Sequence, residues 1–332
     1  MWRAGLGGEP MTGPGVIVAH SLLRGATHVA HSHPGSMHYW QAIILGILQG
    51  VSELFPVSSL GHTVVFPALF GWNNVVAAQS ASESFWLAFL VGLHVGTAIG
   101  LVVYFRKDWA EIVGALVGSA RRRAIATPTE RLGWLLVVAT IPAGITGILL
   151  EHPLRVLFSK PVPASAFLVV NGFLLATGEV LRRRRAAPAV QATGGGTELG
   201  PPRPDRALAT LNMKEGFLVG VAQVFALVAG ISRSGITMVA GLARGLDHKD
   251  AARFSFLLAT PIILAAGVYK LPDLLGSTGN GVRGQTLAAA ACAGVAAWIS
   301  VRFLTRYFKT RTLTPFAIYC VVFGSALLVH FN

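Results

Sequence analysis

The sequence predicts an all-α polytopic membrane protein of inverted-topology repeats, with about six full transmembrane helices plus two re-entrant helical hairpins. Three observations carry this. The chain is 53% hydrophobic and only 12% charged, where a soluble domain carries about 25% charge. Its basic residues sit in short runs between apolar segments of roughly 18–21 residues, long enough to cross about 30 Å of hydrocarbon. Two short polar stretches, 174 residues apart, repeat one another inside apolar surroundings. The roughly ten-residue alternating segments of a transmembrane β-barrel are absent.

Taken in order, residues 1–36 read as a disordered N-terminal extension, with Met37 as a candidate start. The run V-I-V-A is too short for a signal-peptide core, and His28, His31 and His33 read as solvated rather than metal-binding. Residues 37–332 read as a single membrane domain, made of repeat one (37–181), a cytoplasmic linker (182–210) and repeat two (211–332). The spanning candidates are 85–105, 132–150, 164–181, 253–271, 284–304 and 314–331. Loops 106–131, 182–214 and 305–313 are rich in Arg and Lys, which places them on the cytoplasmic side. The linker also holds T-G-G-G-T and P-P-R-P, a flexible composition. His152, His248 and His330 fall at segment ends or in loops and read as interfacial, and Tyr104 and Trp109 suit an aromatic belt.

These loop assignments oppose segment 85–105 to 253–271, 132–150 to 284–304, and 164–181 to 314–331. Two halves of opposite orientation typify transporter-like folds with a site at the repeat interface. Residues 38–84 then start and end outside, and 211–252 start and end inside. Each must enter the membrane and return, with Pro56 and the Gly230/Gly235 pair supplying the breaks. Such backbone is tolerated only where protein or a wet cavity surrounds it, so the two hairpins should meet near mid-membrane.

The net charge of +13 follows the positive-inside pattern, which argues against nucleic acid as a partner. Cys292 and Cys320 lie in apolar segments without metal-type spacing and read as buried free thiols.

The repeated stretches are Q-G-V-S-E-L-F-P-V-S-S-L-G-H-T (Gln49–Thr63) and Q-V-F-A-L-V-A-G-I-S-R-S-G-I-T (Gln223–Thr237). Aligned without a gap, Gln49 meets Gln223, Ser58 meets Ser232, Gly61 meets Gly235 and Thr63 meets Thr237. Glu53 and His62 belong to the first copy alone, Arg233 to the second. An intramembrane charge costs about 2.5–3.5 kcal/mol on insertion scales. Glu53 and Arg233 could simply pair across the repeat interface, but that leaves the surrounding hydroxyls and glycines without a purpose. The inventory suits phosphate chemistry. Arg233 offers a planar fork to two phosphate oxygens. The S-S-L-G and S-R-S-G turns, if each opens a helix, offer backbone amides, with Ser58, Ser232, Ser234 and Thr237 adding hydroxyls and Gly235 allowing close approach. Ser59 and His62 share a helix face, so His62 could activate Ser59 or water, or attack phosphorus itself. Glu53 could orient His62 or bind Mg²⁺ with diphosphate oxygens. Gln49 and Gln223 are expected to support the site by bonding between the hairpins. His94, inside segment 85–105, reads as a hydrogen-bonded packing residue.

These two signatures resemble those of bacterial undecaprenyl-diphosphate phosphatases of the bacitracin-resistance type. R-F-S-F-L-L-A-T-P and T-P-F-A-I-Y add to the likeness, which covers residues 38–332. The resemblance implies a multi-pass enzyme of the bacterial inner membrane that hydrolyses undecaprenyl diphosphate to undecaprenyl phosphate and phosphate, recycling the carrier lipid of cell-wall synthesis. It implies interlocked inverted repeats and a site facing the outer side. By motif match it puts the catalytic roles on Glu53, Ser59, His62 and Arg233, with Mg²⁺, or Ca²⁺ in its place, as cofactor. The expected partners are a polyprenyl diphosphate and the bilayer, and a homodimer stays open. Two departures stand out. Gln49 replaces the usual first Glu, which weakens a two-carboxylate metal site, and Ala229–Gly230 replaces a Pro-Gly pair. They keep two alternatives in view: a transporter or flippase of polyprenyl phosphate, and a paralogue acting on another lipid diphosphate. A second membrane phosphatase pattern, P-S-G-H with S-R-x5-H, is excluded because the later histidine is missing.

Overall fold

The computed structural model describes residues 37–80, 86–158, 160–186, 190–193, 196–199, 206–276 and 281–332. The predicted N-terminal extension therefore lies outside the described residues. Among the described residues six helices are long and apolar enough to span a membrane: α4 (Trp86–Tyr104), α6 (Pro128–Phe158), α7 (Pro161–Ala186), α10 (His248–Leu275), α11 (Arg283–Tyr307) and α12 (Thr314–Phe331). All six predicted spans are matched. Their outward faces stay apolar, with Leu149, Val268, Leu287 and Val329 largely exposed. Such surface is stable only against lipid. The protein is a multi-pass membrane protein.

Four shorter helices form two hairpins: α1 (Tyr39–Ser52) with α2 (Ser59–Leu69), and α8 (Met213–Val224) with α9 (Arg233–Ala243). At 1.5 Å per residue, even a 14-residue helix reaches only about 21 Å, less than the hydrocarbon thickness. Pro56 lies in the break between α1 and α2. The second break, after a 3-10 turn at Phe225–Leu227, contains Gly230 at φ +106°, a conformation open to glycine and strained for other residues. Gly235 does not form part of that break. It sits in the first turn of α9, close to Leu175 and Pro56.

The loop predicted at 106–131 is largely helical. Helix α5 (Arg106–Arg122) is polar on average and exposes Val113 and Val117 on one side. A short helix α3 (Asn73–Ser80) follows the first hairpin. The linker is less irregular than its composition suggested, since β1 (Val190–Thr193) and β2 (Gly196–Leu199) pair antiparallel.

The helices interlock across the halves. Gly92, Gly96 and Gly100 of α4 face Thr286, Ala290 and Gly294 of α11, so these two run parallel. Helix α4 is antiparallel to its counterpart α10, with Val95 against Gly267 and, just beyond the end of α4, Asp108 of α5 bonded to Arg253. Helix α7 is likewise antiparallel to α12, with Gly172 against Val321 and Val169 against Gly324. Each hairpin packs on the other half. Gly46 of α1 lies against the Ala289 carbonyl of α11, and Gly220 of α8 lies against the Ala139 carbonyl of α6. Gly46 and Gly220 occupy equivalent positions, three residues before the aligned motifs. A methyl group at either would overlap the facing carbonyl, so each glycine permits a backbone approach that no other residue allows.

Candidate active site

Glu53 ends α1 and turns its carboxylate into the seam between the hairpins, where the residue is 7% exposed. Arg233, the first residue of α9, donates from Nη2 to Glu53 Oε1 at 2.6 Å and from Nη1 to the Ser255 carbonyl at 3.2 Å. The other carboxylate oxygen, Oε2, accepts from Gln49 Nε2 at 3.0 Å and from the Ser59 hydroxyl. His94 of α4 brings Nε2 to 3.4 Å from the same oxygen. Four residues from four helices and both motifs thus converge on one carboxylate.

Both motif turns open a helix, and in each the first serine caps it. Ser58 caps α2, its Oγ accepting from Gly61 N at 3.2 Å. It reaches this position at φ 68°, a strained backbone for a residue with a Cβ. The same oxygen accepts from Gly230 N at 3.1 Å, stitching the first turn to the second. Ser232 caps α9 through Gly235 N and lies 3.0 Å from the Ser234 hydroxyl, which donates to the Phe55 carbonyl. Thr237 donates to the Arg233 carbonyl and packs its hydroxyl 2.6 Å from Ser255 Oγ. The N-terminus of α9 is therefore capped by Ser232 beside Arg233, where the helix dipole favours an anion.

Three expectations fail in detail. The Ser59–His62 pairing does not form, because Ser59 turns to Glu53. His62 has both ring nitrogens engaged elsewhere, Nδ1 2.7 Å from the Ser58 carbonyl and Nε2 2.8 Å from the Tyr319 hydroxyl, and it stacks on Tyr319 and Phe323. Gln49 and Gln223 do not bond to each other. Gln49 serves Glu53, and Gln223 donates to the Ala139 carbonyl at 2.8 Å. His248 is buried rather than interfacial, its Nε2 2.6 Å from Glu179 Oε1, an oxygen that also accepts from Leu313 N.

Sequence reasoning missed Asn171, Ser255 and Tyr319, and favoured a packing role over a site role for His94. Asn171 Oδ1 accepts from Ser232 N at 2.9 Å while its Nδ2 donates to the Pro56 carbonyl at 3.0 Å, clamping the two breaks together. The same Nδ2 lies 3.3 Å from Cys320 Sγ, so that thiol is buried and free, as expected. An Asn and a His inside apolar runs were the available signal.

Among the described residues no group of three His, Cys, Asp or Glu side chains could hold a metal ion. A site completed by substrate oxygens remains open to a hard cation, since Mg²⁺ commonly takes one or two carboxylates plus phosphate. Gln49 Oε1 is buried with no hydrogen-bond partner. This orphaned oxygen on a residue bonded to Glu53 fits such a cation.

Beside the cluster, Arg233 and Gln223 line a groove of about 290 Å³ whose other walls include Val91, Ile148, Leu227, Ile262 and Tyr269. A guanidinium in an apolar groove matches an amphiphile with an anionic head.

The family model described as bacitracin resistance protein BacA matches residues 42–326. The chain belongs to the BacA family. Its relatives in that family include an undecaprenyl-diphosphatase of Mycolicibacterium paratuberculosis, 56% identical over 297 residues, covering 88% of this chain and 97% of the relative. Undecaprenyl-diphosphatase 2 of Frankia alni is 50% identical over 335 residues, covering 88% and 98%. The undecaprenyl-diphosphatase of Granulibacter bethesdensis is 47% identical over 303 residues, covering 89% and 98%. The BacA match contains both signatures, and so spans every residue of the carboxylate cluster.

Proposed function

We propose that this protein hydrolyses undecaprenyl diphosphate to undecaprenyl phosphate and inorganic phosphate in the bacterial inner membrane. The observation that carries the reading is the convergence of Arg233, Ser59 and Glu53 in one buried cluster, 180 residues bridged by one ion pair, beside an apolar groove. The names of relatives up to 56% identical support the same substrate.

In this reading α1–α2 and α8–α9 are re-entrant hairpins, and their seam opens to the outer side. Arg233 binds the terminal phosphate, and the α9 amides take further oxygens, joined by the Ser232 and Ser234 hydroxyls once these rotate away from each other and from the Phe55 carbonyl. Glu53 accepts the Ser59 proton as Ser59 Oγ bonds to the terminal phosphorus and the phosphoanhydride bond breaks. The bridging oxygen leaves on undecaprenyl phosphate. The Glu53 proton passes to the leaving undecaprenyl phosphate; water then attacks the phosphoserine and loses a proton to Glu53, which returns it to Ser59 Oγ as the phosphorus–Oγ bond breaks and phosphate is freed. Glu53 and Gln49 Oε1 would hold Mg²⁺, or Ca²⁺, which when bound supplies charge neutralisation to the diphosphate oxygens. Ser58 and Thr237 keep the two turns in register. His62, boxed by Tyr319 and Phe323, anchors the start of α2 instead of serving as base.

Phosphate release from undecaprenyl diphosphate by detergent-purified protein tests this, with Mg²⁺ and with chelator. Wild type is expected to turn over, while Ser59→Ala and Arg233→Ala lose at least about 10²-fold in kcat/KM. A folded wild type that releases no phosphate under any metal condition refutes it.

A further inference from the structure

His94 lies outside both motifs, on a spanning helix of the first half, yet it reaches the same carboxylate oxygen as Ser59. Its Nδ1 is 2.7 Å from the Leu90 carbonyl, one turn earlier in α4. A carbonyl only accepts, so Nδ1 donates, and this bond fixes the ring plane. Nε2 then faces Glu53 Oε2 at 3.4 Å. The helix that carries His94 is itself locked in place. Its glycine-lined side packs on α11 through Gly92 and Gly96, and Val95 packs on Gly267 of α10.

Glu53 needs such a stop. It sits at the C-cap of α1, immediately before the five-residue break, so its own helix constrains it on one side only. Arg233 pulls on Oε1. Gln49 and Ser59 are both on the first hairpin and would move with it. Among the described contacts to Oε2, His94 alone comes from a spanning helix.

We propose that His94 is a positioning residue for the hydrolysis, holding the Glu53 carboxylate at the angle from which Oε2 receives the Ser59 proton. This rests on the phosphatase reading above. A carboxylate that swings away from Ser59 leaves substrate binding through Arg233 intact while the proton transfer slows. The effect should therefore fall on kcat.

The experiment compares wild type, His94→Leu, His94→Gln, Ser59→Ala and Ser59→Ala/His94→Leu as full-length purified proteins. It measures kcat and KM for undecaprenyl diphosphate and the thermal midpoint of each. His94→Leu is expected to lower kcat by about 10–100-fold, the usual loss for a supporting residue, with KM within about threefold of wild type. His94→Gln, whose amide also donates to a carboxylate, is expected to recover most of that kcat. The double variant should be no slower than Ser59→Ala, because both act through one carboxylate. A His94→Leu variant with wild-type kcat, a loss confined to KM, or losses that multiply in the double variant would overturn the inference while leaving the phosphatase reading intact. No recovery in a folded His94→Gln would do the same. An inactive wild type would overturn both.

Discussion

The Glu53–Arg233 pair joins the two motifs, and its structural and chemical roles can be separated by a double-mutant cycle. The two side chains are 6% and 13% exposed. Removing one partner of a buried ion pair costs about 3–5 kcal/mol, because the other charge is left uncompensated. The surroundings are unequal. Without Glu53, Arg233 keeps, among the described residues, only the Ser255 carbonyl. Without Arg233, Glu53 keeps Gln49, Ser59 and His94. Glu53→Ala should therefore sit near 5 kcal/mol and Arg233→Ala near 3 kcal/mol, each about. At about 2 °C per kcal/mol for a chain of this size, the thermal midpoints fall by about 10 °C and about 6 °C. The double variant strands neither charge and should fall by no more than about 10 °C, short of the roughly 16 °C of an additive pair. Thermal unfolding in detergent measures all three, and phosphate release should be lost in all three. Additive midpoints, or a larger loss for Arg233→Ala than for Glu53→Ala, would refute the reasoning. So would an active double variant, which would make the pair purely structural.

Two further outcomes follow from the same geometry. Gln49→Glu sets a second carboxylate beside Glu53, so the Mg²⁺ concentration for half-maximal phosphate release should fall about 10-fold, and the variant should be less stable than wild type in chelator; an unchanged metal titration would exclude Gln49 from the metal site. At the start of the second hairpin, Arg206 donates to both oxygens of Glu215, which also caps α8 through Asn212 N. These bonds, Arg206 first, hold the Glu215 carboxyl below its usual 4.5. A depressed carboxyl contributes stability that is present at neutral pH and lost as pH falls through the folded value. The thermal midpoint should drop below about pH 4.5, and Glu215→Gln should be lower at neutral pH and flatter in acid.

The membrane fold was legible because its signals are additive over long windows. Apolar length and loop charge marked all six spans and the opposition of α4 to α10 and α7 to α12. The motif turns were legible for a local reason: Ser58 and Ser232 each precede a glycine at the right offset for a cap. Side-chain partners were not legible. The three-residue spacing of Ser59 and His62 places them near one helix face, but Ser59 lies in the first turn and bends back to Glu53. His62, three residues deeper, meets Tyr319 of a helix 257 residues away. Spacing constrains neighbours within one helix and says nothing about what another helix brings. His94 escaped for the same reason, since its role depends on a carboxylate delivered by a different helix. In the linker, glycine content suggested irregular chain, whereas the Thr and Val on either side favour pairing.

The interlocking also explains why the charged residues are divided between the copies. Each hairpin docks on a helix of the opposite half, Gly46 on Ala289 and Gly220 on Ala139, so neither half can bury its own motif. A Glu–Arg pair within one hairpin would assemble before the halves meet and would report nothing about their register. With Glu53 on one hairpin and Arg233 on the other, each carries an uncompensated charge until the two are seated, and the cost of that charge in an apolar surround favours the seated arrangement. Asn171 enforces the same register without charge, since it satisfies the Pro56 carbonyl of one break and the Ser232 amide of the other at once. Assembly of the site and assembly of the fold are then one event, and a phosphate group can meet Arg233 and Ser59 together only in a chain whose two halves have already closed on each other.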